Sequence, residues 1–417
     1  MRNSRKIFSS AEYRAADIIF FINFMNNIKT IGVFFGGKSP EHDISIITGE
    51  LIISVLKKMP EYQVIPIYLD KQEKFFIDDK LDSLAFFSAD NYQDKLSSFG
   101  AYTLDLDASD SCLVFNKKGL FSKKTIKIDL VFPAFHGNLG EDGSMQGLFN
   151  IFNVPYVGCD VAPSGIAMNK ILTKVFYQGL NIPTTKFIAH NRSDWEGKKE
   201  NILEEIKTTL EWPVFVKPPH LGSSIGITKV RDFKDLEQAC EVALHYDDQL
   251  LVEESVENLV DLTCAVRGYK NPQASLIQES FFSEGLFSYE DKYLSDGGAQ
   301  LGNAEKKIII PANLDKEITK NIQECSLKVF RALGCSGTAR FDFLYNKVTK
   351  QYFANEINPL PGTLYHHLWE KSGVGIEKLV RELIEDALIR QAEKDASTHS
   401  FSSEVLGQLK SLKLAHK

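Results

Sequence analysis

Cysteine is scarce and scattered: six residues in 417, at positions 112, 159, 240, 264, 325 and 335, with no CxxC pair among them. That spacing excludes a disulfide framework and a zinc site of paired thiolates, and it reads as reduced, mostly buried thiols in a cytoplasmic protein. A long basic block is missing too, and the net charge is −7, so neither nucleic acid nor a membrane is expected as a main partner. A bilayer-crossing run is absent. IIFFINF at 18–24 follows basic residues as a signal peptide would, but it is far too short to span, Glu12, Arg14 and Asp17 interrupt the pattern, and no small-residue cleavage site follows. Met25 stands immediately before NNIKTIGVFFGG, a natural first strand, so residues 1–27 are expected as an extension outside the fold. No internal repeat is visible.

What is present is an ordinary globular composition, 43% hydrophobic and 25% charged, at a length that suits two or three domains. From residue 28 strands alternate with helices. TIGVFFGG, a helical segment from Pro40 to Leu56, QVIPIYLD and KIDLVFPAFHG form a βαβ pattern that implies an α/β fold with a parallel sheet. SGIAMNKILTKVFYQGLNIP predicts a helix ending near Gly179, and WPVFVKPPHLGSSIGITKV reads as strand, loop, strand. DLEQACEVALHY places Leu236, Ala239, Cys240, Ala243 and Leu244 on one helical face; ITKNIQECSLKVFRALG does the same with Ile318, Ile322, Cys325, Val329 and Ala332 and stops at Gly334. IEKLVRELIEDALIRQ supplies a last helix before a polar tail from about 391.

The stretch ARFDFLYNKVTKQYFANEINPLPG, 339–362, predicts an antiparallel hairpin with a loop of about five residues. Alternation places Arg340 and Asp342 on one face of its first strand and Ala354, Glu356 and Asn358 on one face of its second, with Phe341, Phe343, Tyr345, Phe353 and Ile357 opposite. Pairing 345 with 351 sets Arg340 opposite Glu356, with Asp342 and Asn358 about 5 to 8 Å away. A solvated ion pair is one reading of that face. The other is a Mg²⁺ site, because Asn is a poor strand former placed in line with two acids and the run ends in a proline-fixed turn. A magnesium site of this kind calls for a phosphate nearby. GVFFGGKS (32–39) satisfies a phosphate-loop pattern formally, yet Val33, Phe34 and Phe35 continue the strand where that loop would have to wrap. VFVKPPHLGSSIG (214–226) is the better candidate: Lys217 ends a strand, and Gly222, Ser223, Ser224 and Gly226 permit a turn whose N–H groups and hydroxyls cover phosphate oxygens. Lys170, in MNKILTK, taken alone reads as a solvated helix residue.

GGKSPEHDIS, HGNLGEDGSMQG, PYVGCDVAPSGIAMNK, VKPPHLGSSIG, YEDKYLSDGG, GTARFDF and NEINPLPG, in this order, resemble the D-alanine-D-alanine ligases of the ATP-grasp superfamily, over residues 28 to 390. The resemblance implies an ATP-grasp fold with an N-terminal Rossmann-like βαβ domain and two α+β domains sandwiching ATP. It divides the chain into 28–158, which holds the first D-alanine; 159–253, the central subdomain; 254–390, with metal site and lid; and a tail, 391–417. The implied reaction phosphorylates the carboxylate of one D-alanine with ATP and lets the amine of a second displace the phosphate, for peptidoglycan precursors. Implied partners are D-alanine, ATP and a second copy of the chain in a homodimer.

Carried over residue by residue, Asp342, Glu356 and Asn358 match ligands for two Mg²⁺ ions, with Mn²⁺ an allowed substitute. Arg340 and the backbone at Gly362 match the groups that stabilise the tetrahedral oxyanion. Lys170, Lys217, Lys292 and Ser224 match phosphate contacts, Glu253 the acid facing the adenine amino group, and Asp261 the ribose partner, at the cost of a one-residue gap. Glu41 matches the carboxylate for the first D-alanine's ammonium, with His136 beside it, and Ser223 and Tyr293 join Glu41 in a closing hydrogen-bonded set, Tyr293 on a lid. Read singly, Glu41 is a helix-start acid and His136 a loop histidine. The chain departs from the family after the hairpin: GTLYHHLWEKSG places His367 where a small hydroxyl is common and Leu368 at the apolar position beside it. His367 is expected either to cap a helix or, with Lys292, to bind the acceptor's carboxylate, titrating near its ordinary pKa of about 6.5. A D-alanine ligase with a different second substrate, another ATP-grasp carboxylate-amine ligase and a non-catalytic nucleotide sensor are the alternatives.

Overall fold

A computed structural model describes residues 29–117, 119, 124–280, 308–398, 403 and 405. The expected extension, the lid with Lys292 and Tyr293, and most of the tail lie outside these residues.

Strands β1 (Thr30–Gly36), β2 (Gln63–Leu69), β3 (Phe75–Phe76), β4 (Tyr102–Leu104), β5 (Leu113–Lys117), β6 (Thr125–Ile128) and β7 (Leu130–Pro133) form one sheet in the order β6-β5-β4-β3-β2-β1-β7. β1 pairs in parallel with both β2 and β7, which is the βαβ pattern expected from the sequence. The crossover helix, His42–Leu56, is rich in Ile, a residue of modest helix propensity. Burial outweighs propensity: Ile44, Ile46, Ile52 and Ile53 are almost fully enclosed. Gly49 lets the helix settle on β1, since a Cβ there would lie 2.7 Å from the Phe35 ring. Val33, Phe34 and Phe35 are buried strand residues, so GVFFGGKS is not a phosphate loop.

β8 (Phe187–Asn191), β9 (Val214–Lys217), β10 (Thr228–Val230) and β11 (Gln249–Glu254) form a second sheet, ordered β10-β9-β11-β8 and covered by helices Arg192–Thr209 and Leu236–Tyr246. The latter buries the five residues expected. The third sheet, β14-β13-β12-β15-β16, is built from β12 (Leu259–Gly268), β13 (Gln273–Ser280), β14 (Ile308–Ile309), β15 (Gly337–Asn346) and β16 (Tyr352–Asn358). Helix Lys316–Leu333 packs on it and ends at Gly334 in the left-handed conformation, φ 72°. Its buried stripe contains Ile322, Cys325 and Val329 but takes Leu333 in place of Ala332, which is exposed.

Two local expectations need correcting. The segment from 161 to 179 is two helices, Val161–Ala167 and Lys170–Gly179, because the Asn169 side chain accepts from the N–H groups of Ile171 (2.9 Å) and Leu172 (3.0 Å) and caps the second. In the β15–β16 hairpin Tyr345 pairs with Tyr352, not with residue 351, and a bulge at Asn355 shifts the register again. Arg340 therefore lies opposite Asn358 and Asp342 opposite Glu356; Ala354 joins the core beside Phe343, while Phe353 moves to the other face opposite Leu344. The Asn346 side chain sets the turn by accepting from Val348 and Thr349 N–H.

Candidate active site

The sheets meet around two adjoining cavities. The larger, about 110 Å³, is walled on one side by Lys217 and the loop after β9, including Gly222, Ser223 and Ser224, and on the other by Asp261 and Thr263 of β12, Asp342 of β15 and Glu356 of β16. Lys170 lines it at the start of its helix. The smaller is bounded by Glu41, Glu141, Arg340 and Asn358 and shares Lys170, Ser223 and Glu356 with the first.

The bulge at Asn355 keeps Glu356 on the same face as Asp342 and directly across from it. Arg340, 3% exposed, holds Asp342 through Nε at 3.0 Å and Nη2 at 2.8 Å, and reaches Glu356 at 3.7 Å. Burial and the Glu356 charge nonetheless leave the Asp342 carboxyl above its ordinary pKa, against the pull of Arg340. Two crowded acids with Asn358 in line form a hard-oxygen donor set that suits a divalent cation. Among the described residues Arg340 Nη1 is buried without a hydrogen-bond partner, and it belongs to a residue that lines the smaller cavity.

Glu41 and Ser223 are 182 residues apart in sequence, yet the Ser223 hydroxyl donates to Glu41 Oε1. Ser223 and Ser224 both adopt left-handed backbone, φ 54° and 61°, an uncommon conformation for non-glycine residues that turns the loop into the seam. His136 Nε2 bonds Thr48 Oγ1 at 2.8 Å, and that hydroxyl also accepts from Thr363 N–H at 3.0 Å. His136 Nδ1 faces Glu141, 3.7 Å away. Burial pushes the Glu141 carboxyl up, while His136 and the Gly137 N–H pull it back only in part. Gly362 sits beside His136: a Cβ there would lie 3.9 Å from the imidazole.

Glu253 is 1% exposed and lies behind the larger cavity rather than on its wall. Thr185 Oγ1 donates to it at 2.6 Å, Lys174 Nζ contacts it at 2.5 Å, and Lys217 binds its other oxygen. Burial would raise its pKa, but the two ammonium groups hold it far below the usual carboxylate range. Lys174 and Glu141 were not singled out from the sequence. Both occur inside quoted motifs, MNKILTK and HGNLGEDG; Lys174 lies three residues before the buried Tyr177 on one helical face, whereas Glu141 sits in a turn with no periodic signal.

His367 does not fit the expected titration. Its Nε2 bonds Gln278 Oε1 at 2.8 Å, and burial, with His366 and Arg340 adding to it, lowers its pKa to about 4. It is neutral in the working range. Gln278 in turn donates to the Tyr365 hydroxyl at 3.0 Å. Leu368 is fully buried in the core and lines neither cavity. The helix His366–Lys371 has no side-chain cap at its start, so neither histidine caps it; His366 Nδ1 donates instead to Thr363 O at 3.1 Å.

A glycine- and serine-bearing loop with lysines on one side, acids on the opposing sheet, and a cavity between the two α+β layers define an ATP-grasp ligase. Family models described as D-ala D-ala ligase N-terminus and D-ala D-ala ligase C-terminus match residues 30–159 and 176–385. The D-alanine–D-alanine ligase of Thermosipho africanus is 36% identical over 89% of this chain and 96% of its own length; that of Acetivibrio thermocellus is 34% identical over 88% and 97%. Among solved structures, the D-alanine-D-alanine ligase of Coxiella burnetii superposes with a TM-score of 0.72 at 28% identity, covering 92% of this chain and 98% of that one. VanG D-Ala:D-Ser ligase from Enterococcus faecalis gives 0.72 at 29%, covering 87% and 100%. The chain belongs to the D-alanine–D-alanine ligase family.

Proposed function

We infer that this chain joins two D-alanines with ATP, through an acyl phosphate, to give D-alanyl-D-alanine, ADP and phosphate. The observation that carries the reading is the meeting of three groups at one seam: Glu41 bound to Ser223, the acids Asp342 and Glu356, and Lys170 and Lys217. The carboxylate oxygen of the first D-alanine attacks the γ-phosphorus, breaking its bond to the bridging oxygen of ADP. The second D-alanine's amine, having lost a proton, attacks the acyl carbon, and phosphate departs from the tetrahedral oxyanion.

Lys170, Lys217 and Ser224 receive the phosphates in this reading and Asp261 the ribose, while Glu253, which the resemblance gives to the adenine amino group, is kept ionised behind the cavity wall by its two lysines. Glu41 takes the first D-alanine's ammonium with His136 beside it. Arg340 Nη1 and the Gly362 backbone receive the oxyanion, a charge that exists only at the transition state. Asp342, Glu356 and Asn358 would hold two Mg²⁺ ions, or Mn²⁺ in their place, which supply charge neutralisation along the phosphates. Lys292 and Tyr293, outside the described residues, retain the roles the resemblance implies. The reading extends to a homodimer in the cytoplasm. All six cysteines are free and buried, and among the described residues no helix is long and apolar enough to cross a membrane.

Phosphate release with D-alanine, L-alanine, D-serine and D-lactate, with product identification, tests it. Turnover with D-alanine alone is expected; release that ignores the amino acid's configuration overturns the reading, and preference for another acceptor moves the chain to a D-alanine–D-X ligase.

A further inference from the structure

The loop after β9 is held by contacts that the reaction itself does not require. Three consecutive loop residues touch the start of the helix Lys170–Gly179. Lys170 N–H donates to Pro219 O at 3.1 Å, Lys170 Nζ donates to Leu221 O at 2.7 Å, and between them the His220 ring meets Asn169. The other side of His220 is fixed to the corner between helix Leu236–Tyr246 and β11. There Asp247, its side chain 4% exposed, accepts the His220 backbone N–H at 2.9 Å and Nδ1 at 3.0 Å.

The protonation state follows from the cap. Asn169 Oδ1 is committed to two helix N–H groups, so the atom 2.8 Å from His220 Nε2 is the amide nitrogen, which has only protons to offer. Nε2 must therefore present its lone pair, and the ring proton sits on Nδ1, donating to Asp247. We propose that His220 is a positioning residue for nucleotide binding: its neutral imidazole bridges Asn169 and Asp247 and so holds Pro219–Leu221 against the helix start that carries Lys170. This rests on the reading that Lys170 and the loop receive the phosphates.

Protonation breaks the bridge. A proton on Nε2 opposes the Asn169 amide, and relief by turning the amide over costs the helix its cap. The charged groups facing the ring are Asp247 and Asp248 from the corner, which favour the proton, and Lys170 from the helix, which opposes it. The hydrogen bond to Asp247 outweighs burial and raises the pKa of the ring above its ordinary value. Low pH is the loosened state.

The experiment is the calorimetric Kd of MgATP, without D-alanine and with excess Mg²⁺, between about pH 6 and 8.5, for the parent, His220→Ala, Asn169→Asp and Lys170→Ala. The nucleotide's own titration is common to all four. At high pH His220→Ala weakens binding about fivefold with an unchanged melting temperature, and the two curves converge as pH falls. Asn169→Asp keeps the cap oxygen but places an acceptor at Nε2, so its affinity relative to the parent improves on acidification. Parallel curves for the parent and His220→Ala, or the parent's slope in Asn169→Asp, overturn the proposal. If Lys170→Ala leaves Kd unchanged, the phosphate reading beneath it fails instead.

Discussion

The lobe carried by the second sheet and the rest of the molecule are built on different terms. The lobe has a core of its own, from Ile188 to Val252, closed by Trp195, Ile206, Leu236 and Leu244. The first sheet shares its core with the chain's far end: Ile31, Phe35 and Ile52 pack in one cluster with Ala265 of β12 and with Leu364, Trp369, Leu383 and Leu388. A continuous apolar core ties elements into one cooperative unit, whereas a separate core leaves its lobe attached mainly through polar contacts. The loop that carries Ser223 and His220 belongs to the lobe, while Glu41, Arg340 and Asp342 belong to the fused body. The site therefore spans a boundary between two independently packed units, an arrangement suited to closing over a substrate and excluding water.

The largest effect is expected from the fused body's acids. Glu356→Gln keeps size but removes a ligand charge, so ligase turnover should fall by orders of magnitude with an unchanged circular dichroism spectrum. Near-normal turnover at ordinary Mg²⁺ removes Glu356 from the metal site.

Next come two tryptophans that set the cores against each other. Trp369→Ala and Trp195→Ala should each cost about 3–5 kcal/mol, but hydrogen exchange should locate the losses differently. Trp369→Ala is expected to lower protection in β1 and β12 together, and Trp195→Ala to confine its effect to residues 187–254. Equal spread in both variants would show that the molecule is one cooperative unit after all.

Ser223→Ala cuts one of the bonds between lobe and body without disturbing either core. A hydrogen bond to a carboxylate contributes about 1.5–3 kcal/mol, so kcat/KM should drop about ten- to hundredfold while melting is unaffected.

The smallest effect concerns His367, next in sequence to Leu368 of the shared core. Its folded pKa of about 4 lies below the unfolded value of about 6.5, so its folded state binds fewer protons. Stability is complete above pH 6.5 and is lost as pH falls towards 4. Between pH 7 and 5 this amounts to at most about 2 kcal/mol. Melting of the parent should therefore decline more over that interval than melting of His367→Gln. Identical declines would mean that the ring is not held neutral by burial.

Much of this was legible because the signals are local. The apolar run of β1, the apolar stripe of Leu236–Tyr246, the Gly334 stop and the Gly–Ser loop each depend on residues a few positions apart. The acids of the hairpin were legible for the same reason, but their pairing was not. Tyr345 meets Tyr352 and the strand bulges at Asn355, which brings Ala354 into the core beside Phe343 and leaves Phe353 on the other face, and that register is set only in the packed sheet.

The roles of Lys174 and His367 were hidden for a related reason: a charge or ring reveals its state only through what encloses it. By itself the sequence determined the elements, the motif order and the residue types fit for phosphate and metal chemistry. The tertiary structure alone decided that Glu41 meets Ser223, that Lys174 and Lys217 share Glu253, and that His367 is neutral. Contacts between residues far apart in the chain, and the desolvation they impose, are properties of the packed interior and have no counterpart in local sequence pattern.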